Sequence, residues 1–340
     1  MKSNLTKKKL NKEKKSLKKK MCLVFHQHNI GCCEVQEKKE KDLYGQNIRY
    51  ERQKKNIRNI ENYLNKTKIN ADIITLQEVQ ENESNKNIKY KNKNYGIIYK
   101  KTGLIHYLTI DNNKSDIEDI EHGCAVIYNK DMFKLKDIFS DYIIPEKKNY
   151  LPRSTPWLIL ERKTDSKIFA VISLHGLIFD PPSDSRLVRN KYFYKNLTKS
   201  MKTISEKFNP NFFLIGTDLN TNLYNPRFNA FKNKENSYQK DLKKNSPIFK
   251  SYLNDFRKFL EKKNIISSID NRICTNYNWN ESKNIAFYDQ IDFIFHSKEL
   301  KNIKWNLNTK QYLGTKPESC KELEFLENDF DHLNIQITFQ

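Results

Sequence analysis

Asp72-Ile73-Ile74-Thr75-Leu76-Gln77-Glu78-Val79 is an apolar run that closes on a carboxylate. Its Ile and Leu content reads as a strand buried in a core. An acid at the end of such a run needs a metal, a partner or a shifted pKa, because an isolated charge in apolar surroundings is costly. The pattern recurs outward from this stretch. Leu23 to Phe25 leads into His28-Asn29-Ile30, and Ala170-Val171-Ile172-Ser173-Leu174-His175-Gly176 ends on a histidine. Phe213-Leu214-Ile215-Gly216-Thr217-Asp218-Leu219-Asn220 ends on Asp and Asn two apart, a spacing that puts both on one face if strand geometry persists. Gln290-Ile291-Asp292-Phe293-Ile294-Phe295 sets an acid inside an apolar strand, and Asp331-His332 precedes the last candidate strand. The carboxyl ends of strands are where the clefts of α/β proteins form.

Each of these endings has a plain structural explanation when taken alone. A Glu at a strand end is commonly solvated or capped, a buried His is commonly a hydrogen-bonded core residue, and Asp-x-Asn is ordinary turn chemistry. Their occurrence together, in this order, is what points to a site.

Apolar periodicity predicts strands at Met21–Phe25, Ala71–Val79, Cys124–Tyr128, Trp157–Glu161, Ile168–Leu174, Phe212–Ile215, Ile291–Phe295 and Leu333–Phe339. Ile57, Ile60 and Leu64 recur at helical spacing between Arg49 and Lys66, and further helices are predicted over Arg186–Phe208 and Phe249–Lys263. Residues 1–20 form a lysine-rich block with too few apolar groups to offset ordering entropy, so a disordered basic tail is expected there. The remainder, residues 21–340, is long enough for about two domains or one large α/β or two-sheet domain, with Asn/Lys-rich stretches near 82–94 and 225–245 that look like insertions.

Composition bounds the function. Aromatic residues make up 12% of the 340-residue chain, which rules out wholesale disorder. Apolar runs such as Phe212 to Ile215 fall far short of the ~20 residues that a helical membrane span needs. Gly is scarce, at 8, and neither a GxGxxG loop nor a Walker phosphate loop is present. None of the six cysteines forms a CxxC pair, so a zinc site is not indicated. No signal peptide precedes them, and reduced thiols in the cytoplasm or nucleus are expected. The formal charge of +21 favours a polyanionic partner: nucleic acid, a phosphorylated small molecule or an acidic lipid surface. Lys, Asn and Ile also share AT-rich codons, so a biased base composition accounts for the same charge without a ligand.

In their order, these motifs resemble the endonuclease/exonuclease/phosphatase superfamily, the DNase I-like fold. Leu76-Gln77-Glu78-Val79 is the most specific match. Asp218-Leu219-Asn220, Ile291-Asp292-Phe293-Ile294 and Asp331-His332 match in spacing and context. Ser173-Leu174-His175 followed by Pro182-Ser183-Asp184 is similar to the DNase branch. The family sets Gly directly before the Asp of Asp-x-Asn; here Thr217 stands there, with Gly216 one earlier. Gln290 replaces a frequent Arg, and Phe330 replaces a Ser.

The resemblance implies a four-layer α/β/β/α sandwich of two packed mixed sheets with its site at one end. It implies a Mg²⁺- (or Mn²⁺-) dependent phosphodiesterase, with nucleic acid as the expected substrate. Glu78, helped by Asn29 and Asp331, would hold the metal, hard oxygen donors being suited to Mg²⁺. Asp218 would deprotonate the attacking water, Asn220 would fix a phosphoryl oxygen, and His175 would contact the phosphate or assist the leaving group. His332 would face the phosphate, oriented by Asp292, with Asp289 as the rival partner. Arg186 and Arg189, three apart on a predicted helix, share a face and are candidates for substrate phosphate; a solvated face is the alternative. The same fold also serves inositol phosphates, lipid-linked phosphates and nucleotides. An inactive nucleic-acid-binding module is a third reading, against which the filled motif positions argue.

Overall fold

A computed structural model describes residues 22–30, 39–41, 47–49, 59–81, 83–111, 114–144, 153–176, 184–220, 251–268, 276–280, 285–289, 292–307 and 335–340. Within these the chain forms β1 (Leu23–Asn29), β2 (Lys39–Lys41), β3 (Asn47–Arg49), α1 (Ile60–Thr67), β4 (Ile73–Val79), β5 (Asn85–Tyr90), β6 (Lys93–Asp111), β7 (Lys114–Asn129), β8 (Phe133–Ile144), β9 (Arg153–Arg162) and β10 (Ile168–His175). There follow α2 (Asp184–Phe208), β11 (Phe212–Asp218), α3 (residues 251–262), β12 (Ile265–Ser267), β13 (Asn276–Asn280), β14 (Ile285–Asp289), β15 (Asp292–Ser297), β16 (Asn302–Leu307) and β17 (Ile335–Phe339).

Two mixed sheets carry the architecture. One has seven strands in the order β16-β17-β1-β4-β7-β6-β5, and the other has six in the order β12-β15-β11-β10-β9-β8. Each has a parallel pair near its middle, β1 with β4 and β10 with β11. The remaining pairings in both sheets are antiparallel.

Side-chain alternation explains the layers. In β10, Phe169 and Val171 point into the space between the sheets, while Ala170, Ile172 and Leu174 point outward. Both faces are apolar, so the strand must be covered on both sides. Between the sheets Leu23, Phe25, Ile73 and Val126 pack against Leu158, Phe169, Val171, Leu214 and Ile294. On the outside of the first sheet, Ile60, Tyr63 and Leu64 of α1 cover Ile74, Leu76, Val79 and Ile97. On the outside of the second, Phe193, Leu197 and Met201 of α2 and Leu253, Phe256 and Leu260 of α3 cover Trp157, Ile172, Ile215 and Phe295. The result is the four-layer α/β/β/α sandwich of the DNase I-like fold. Among the described residues, no helix is long and apolar enough to cross a membrane.

Several boundaries differ from expectation for identifiable reasons. β1 runs on to Asn29 because its polar residues His26, Gln27, His28 and Asn29 are buried and bonded rather than solvated. The first helix begins at Ile60, where the Asn59 side chain accepts from the backbone N–H of Glu61 and Asn62, and Arg49 instead closes the small ribbon β2–β3. The Asn/Lys-rich stretch near 82–94 folds as an edge hairpin of β5 with the start of β6, its residues alternating between exposed and half-buried. The basic tail over 1–20 and the 225–245 stretch lie outside the described residues.

Beneath α1 sits a buried polar hub. The Tyr63 hydroxyl lies 2.9 Å from His26 Nε2 and 2.8 Å from His28 Nδ1. One hydroxyl donates one proton and can accept others, so it can serve both imidazoles, the roles following from which ring nitrogens carry protons. Burial, reinforced by His28, holds the His26 imidazole well below its ordinary pKa of 6.5. The unfolded chain therefore binds a proton near 6.5 that the folded chain refuses, and this contribution to stability, present above pH 6.5, is lost as pH falls below it. Burial also lowers His296, adding in the same direction. Denaturant titrations from pH 7 to pH 5 should show stability falling with pH in the parent and a shallower slope in His26→Gln.

Candidate active site

The inward faces of the central strands change character along their length. β1 presents Leu23, Phe25, then Gln27 and Asn29; β10 presents Phe169, Val171, then Ser173 and His175; β11 presents Phe212, Leu214, then Gly216 and Asp218. β15 runs antiparallel to β11, so its first residue, Asp292, stands opposite Asp218. The space between the sheets is thus apolar at one end and polar at the other, the polar end lying at the carboxyl termini of β1, β4, β10 and β11.

Glu78 reaches this interior through an irregularity. In β4 Ile74 and Leu76 face α1, and the next residue to do so is Val79. Alternation demands a step of two, so one residue is extra, and the pairing with β7 slips between Leu76 and Val79. Glu78 takes a left-handed backbone conformation with φ 54°, which is strained for a residue with a side chain. As a result the Glu78 carboxylate joins the inward polar set, beside Gln77, which alternation from Ile73 and Thr75 already turns inward.

The site closes around two carboxylates. Asn29 Nδ2 donates to Asp218 Oδ2 at 2.8 Å and to Glu78 Oε1 at 3.3 Å. His175 Nε2 lies 3.6 Å from each of the same two oxygens. Asp218 is fully buried, whereas the Glu78 side chain retains 22% exposure, so Glu78 stands at the solvent side. The other Asp218 oxygen, Oδ1, accepts from the backbone N–H of Asn220 at 2.6 Å, an Asx turn.

Strand geometry therefore does not persist to Asn220, contrary to the spacing argument. Asn220 is in the left-handed region at φ 53°, and its amide donates to the Gly176 carbonyl at 3.2 Å. Asp292 is fully buried in β15, and the rival Asp289 lies instead at the end of the separate β13–β14 ribbon, opposite Asn276. Arg186 and Arg189 fall in the first turns of α2, with their side chains outside the described residues. Asp331 and His332 also lie outside the described residues.

Two features escaped the sequence. Gln27, Gln77 and Ser173 form a buried hydrogen-bonded set behind the carboxylates. His122, buried in β7, stacks edge-on against His175 with ring centroids 5.7 Å apart. Its signal was the His122-Gly123 step just before the apolar run at Cys124, the counterpart of His175-Gly176 at the end of β10.

The oxygen donors suited to a hard divalent cation are Glu78 and Asn29, whose amide nitrogen is turned to Asp218 and Glu78. Among the described residues no group of three His, Cys, Asp or Glu side chains is arranged to hold a metal ion. A small set of oxygen donors fits Mg²⁺, which is held by one or two carboxylates and keeps several of its waters, whereas Zn²⁺ sites are built mainly on imidazole and thiolate.

Known proteins fit this picture. The sequence profile of the Endonuclease/Exonuclease/phosphatase family matches residues 27–306. No curated protein matches the sequence. Among solved structures, ANGEL2, described as a 2',3'-cyclic phosphatase in complex with adenosine-2',3'-vanadate, superposes with a TM-score of 0.53 at 13% identity, covering 94% of this chain and 95% of its own. An endonuclease/exonuclease/phosphatase from Beutenbergia cavernae DSM 12333 superposes at 0.51 with 10% identity, covering 94% of this chain and 71% of its own. Likeness at such identities concerns the fold.

Gly216 lets the sheets close over the site. A Cβ there would meet Thr75 Oγ1 at 1.8 Å and Thr75 Cβ at 2.8 Å, both from the opposite sheet. Gly216→Ala should lower the unfolding free energy by about 1–3 kcal/mol, the range for overpacking a tight core, as read by chemical denaturation.

Proposed function

Since the chain belongs to the endonuclease/exonuclease/phosphatase family, whose members are phosphoric ester hydrolases, we propose that it is a Mg²⁺-dependent phosphodiesterase acting on nucleic acid. The observation that carries this reading is the meeting of Asn29, Glu78, His175 and Asp218, from four strands, within hydrogen-bonding or ion-pairing reach at the polar end of the sandwich. The net charge of +21 supports a polyanionic substrate.

A phosphodiester is anionic and resists nucleophiles, so hydrolysis needs an activated water and positive charge on the phosphoryl oxygens. Glu78 and Asn29, joined by Asp331, would hold Mg²⁺, which when bound supplies that charge. Asp218 accepts the proton of the attacking water. Its carboxylate is already fixed on both oxygens, by Asn29 and by the Asn220 backbone, so little reorganisation accompanies the step. Asn220 has an amide hydrogen beyond the one given to Gly176 and offers it to a phosphoryl oxygen. His175, beside both carboxylates, faces the phosphate or the leaving oxygen. Asp292 would orient His332, and Arg186 and Arg189 would meet flanking phosphates.

The test is a substrate panel: single- and double-stranded DNA and RNA, phosphoinositides, and nucleoside 2',3'-cyclic phosphates, with Mg²⁺ and with chelator. Cleavage of an oligonucleotide is expected only with Mg²⁺, and Glu78→Gln should slow it at least 100-fold. Turnover confined to small phosphates would overturn the nucleic-acid assignment. An inert parent, or a Glu78→Gln variant as fast as the parent, would overturn the hydrolase.

A further inference from the structure

Behind the carboxylates runs a hydrogen-bonded chain whose direction is fixed. It begins at two backbone carbonyls, Leu76 O and Gly216 O, which only accept. Ser173 Oγ donates to Leu76 O at 2.7 Å, and Gln77 Nε2 donates to Gly216 O at 3.3 Å and to Ser173 Oγ at 2.9 Å. Both hydrogens of that amide are thereby used, and the Gln77 oxygen faces Gln27. The Gln27 atom 2.9 Å from it must be the nitrogen, and its second hydrogen points to Asp292 Oδ1 at 3.3 Å. Amide orientations are ordinarily a matter of assignment; here the two carbonyls dictate both.

The members Gln27, Gln77, Ser173 and Asp292 are all fully buried. Gln27 Oε1 is left with no hydrogen-bond partner among the described residues. A buried amide oxygen in that state is destabilising. The reversed orientation is worse, because it sets an oxygen against both Gln77 Oε1 and Asp292 Oδ1. Gln27 belongs to the first sheet and Asp292 to the second, and Gln27 shares the inward face of β1 with Asn29, two residues on. One strand thus touches the cation-holding end of the site through Asn29 and the Asp292 end through Gln27.

From this we infer that Gln27 is a positioning residue: its side-chain amide aims the Asp292 carboxylate for the reaction. The inference rests on the proposed phosphodiester hydrolysis and adds to it a residue that touches neither metal nor substrate.

The test is a double-substitution cycle on the full chain: parent, Gln27→Met, Asp292→Asn and the double variant, with Gln27→Leu as a second form of similar size that has no polar hydrogens to give. Each is assayed on bis(p-nitrophenyl) phosphate at saturating Mg²⁺, and its denaturant unfolding is measured. Gln27→Met and Gln27→Leu should each lose about 10- to 100-fold in kcat with KM little changed, since small misplacements of catalytic groups cost that much. In the Asp292→Asn background, Gln27→Met should add almost nothing, because no carboxylate remains to aim. Losses that multiply, or folded Gln27 variants with the parent's kcat, would overturn the inference while leaving the hydrolase intact. An inert parent whose four unfolding energies are coupled would overturn the hydrolase while upholding the Gln27–Asp292 link.

Discussion

Two β-sheets packed face to face leave a slab about 10 Å thick, and whatever points into it is either apolar or must find a partner there. This protein meets the constraint in both ways along the same strands. At one end Phe25, Ile73, Phe169, Val171 and Leu214 fill the slab by packing. At the other, Gln27, Asn29, Gln77, Ser173, His175, Asp218 and Asp292 occupy equivalent inward positions and are buried. Water reaches little of that end, so most of the polar groups there bond to one another. Their mutual bonds fix donors and acceptors before any ligand arrives, which is the condition under which electrostatic stabilisation is strongest.

The backbone gives way where the chemistry needs more than alternation supplies. Gln77 is held inward by Ser173 and the Gly216 carbonyl, and Val79 is held outward under α1. Glu78 lies between these anchors, and its positive φ is where the mismatch is absorbed. Such strain costs on the order of 1–3 kcal/mol and persists only when the surroundings over-determine it; here they do so on both sides. Asn220 shows a milder form, since Asn tolerates the left-handed region and the Asp218 carboxylate closes its turn.

How much of this was legible in the sequence follows from the range of the forces involved. The buried strands were legible because burial on both faces leaves a local record of Ile, Leu, Val and Phe. Asn29, Glu78, His175 and Asp218 were legible as polar endings to those records, and their convergence follows from the order of strands in the two sheets. The orientation of Glu78 was not, because a one-residue bulge depends on what Gln77 and Val79 contact elsewhere. Nor was Gln27, whose partners Gln77 and Asp292 lie 50 and 265 residues away along the chain. β5 escaped because an edge strand exposed on one side needs few apolar residues, and Asn85 to Tyr90 has few.

The net charge of the molecule and the carboxylates gathered at the described part of its site are of opposite sign, and the two act over different distances. A net charge of +21 spread over the chain would favour polyanions at the surface without selecting among them, and salt screens it beyond about 8 Å under physiological conditions. The buried end of the sandwich instead gathers Glu78, Asp218 and Asp292, carboxylates that repel a phosphate at close range. Among the described residues, Asn29 and His175 bridge the first two of these, an amide and an imidazole rather than a fixed cation. On the proposed reading these features are complementary. The surface sets how often a nucleic acid arrives, and the carboxylates make productive contact conditional on a bridging divalent cation, so binding and turnover respond to different variables: binding to ionic strength, turnover to Mg²⁺.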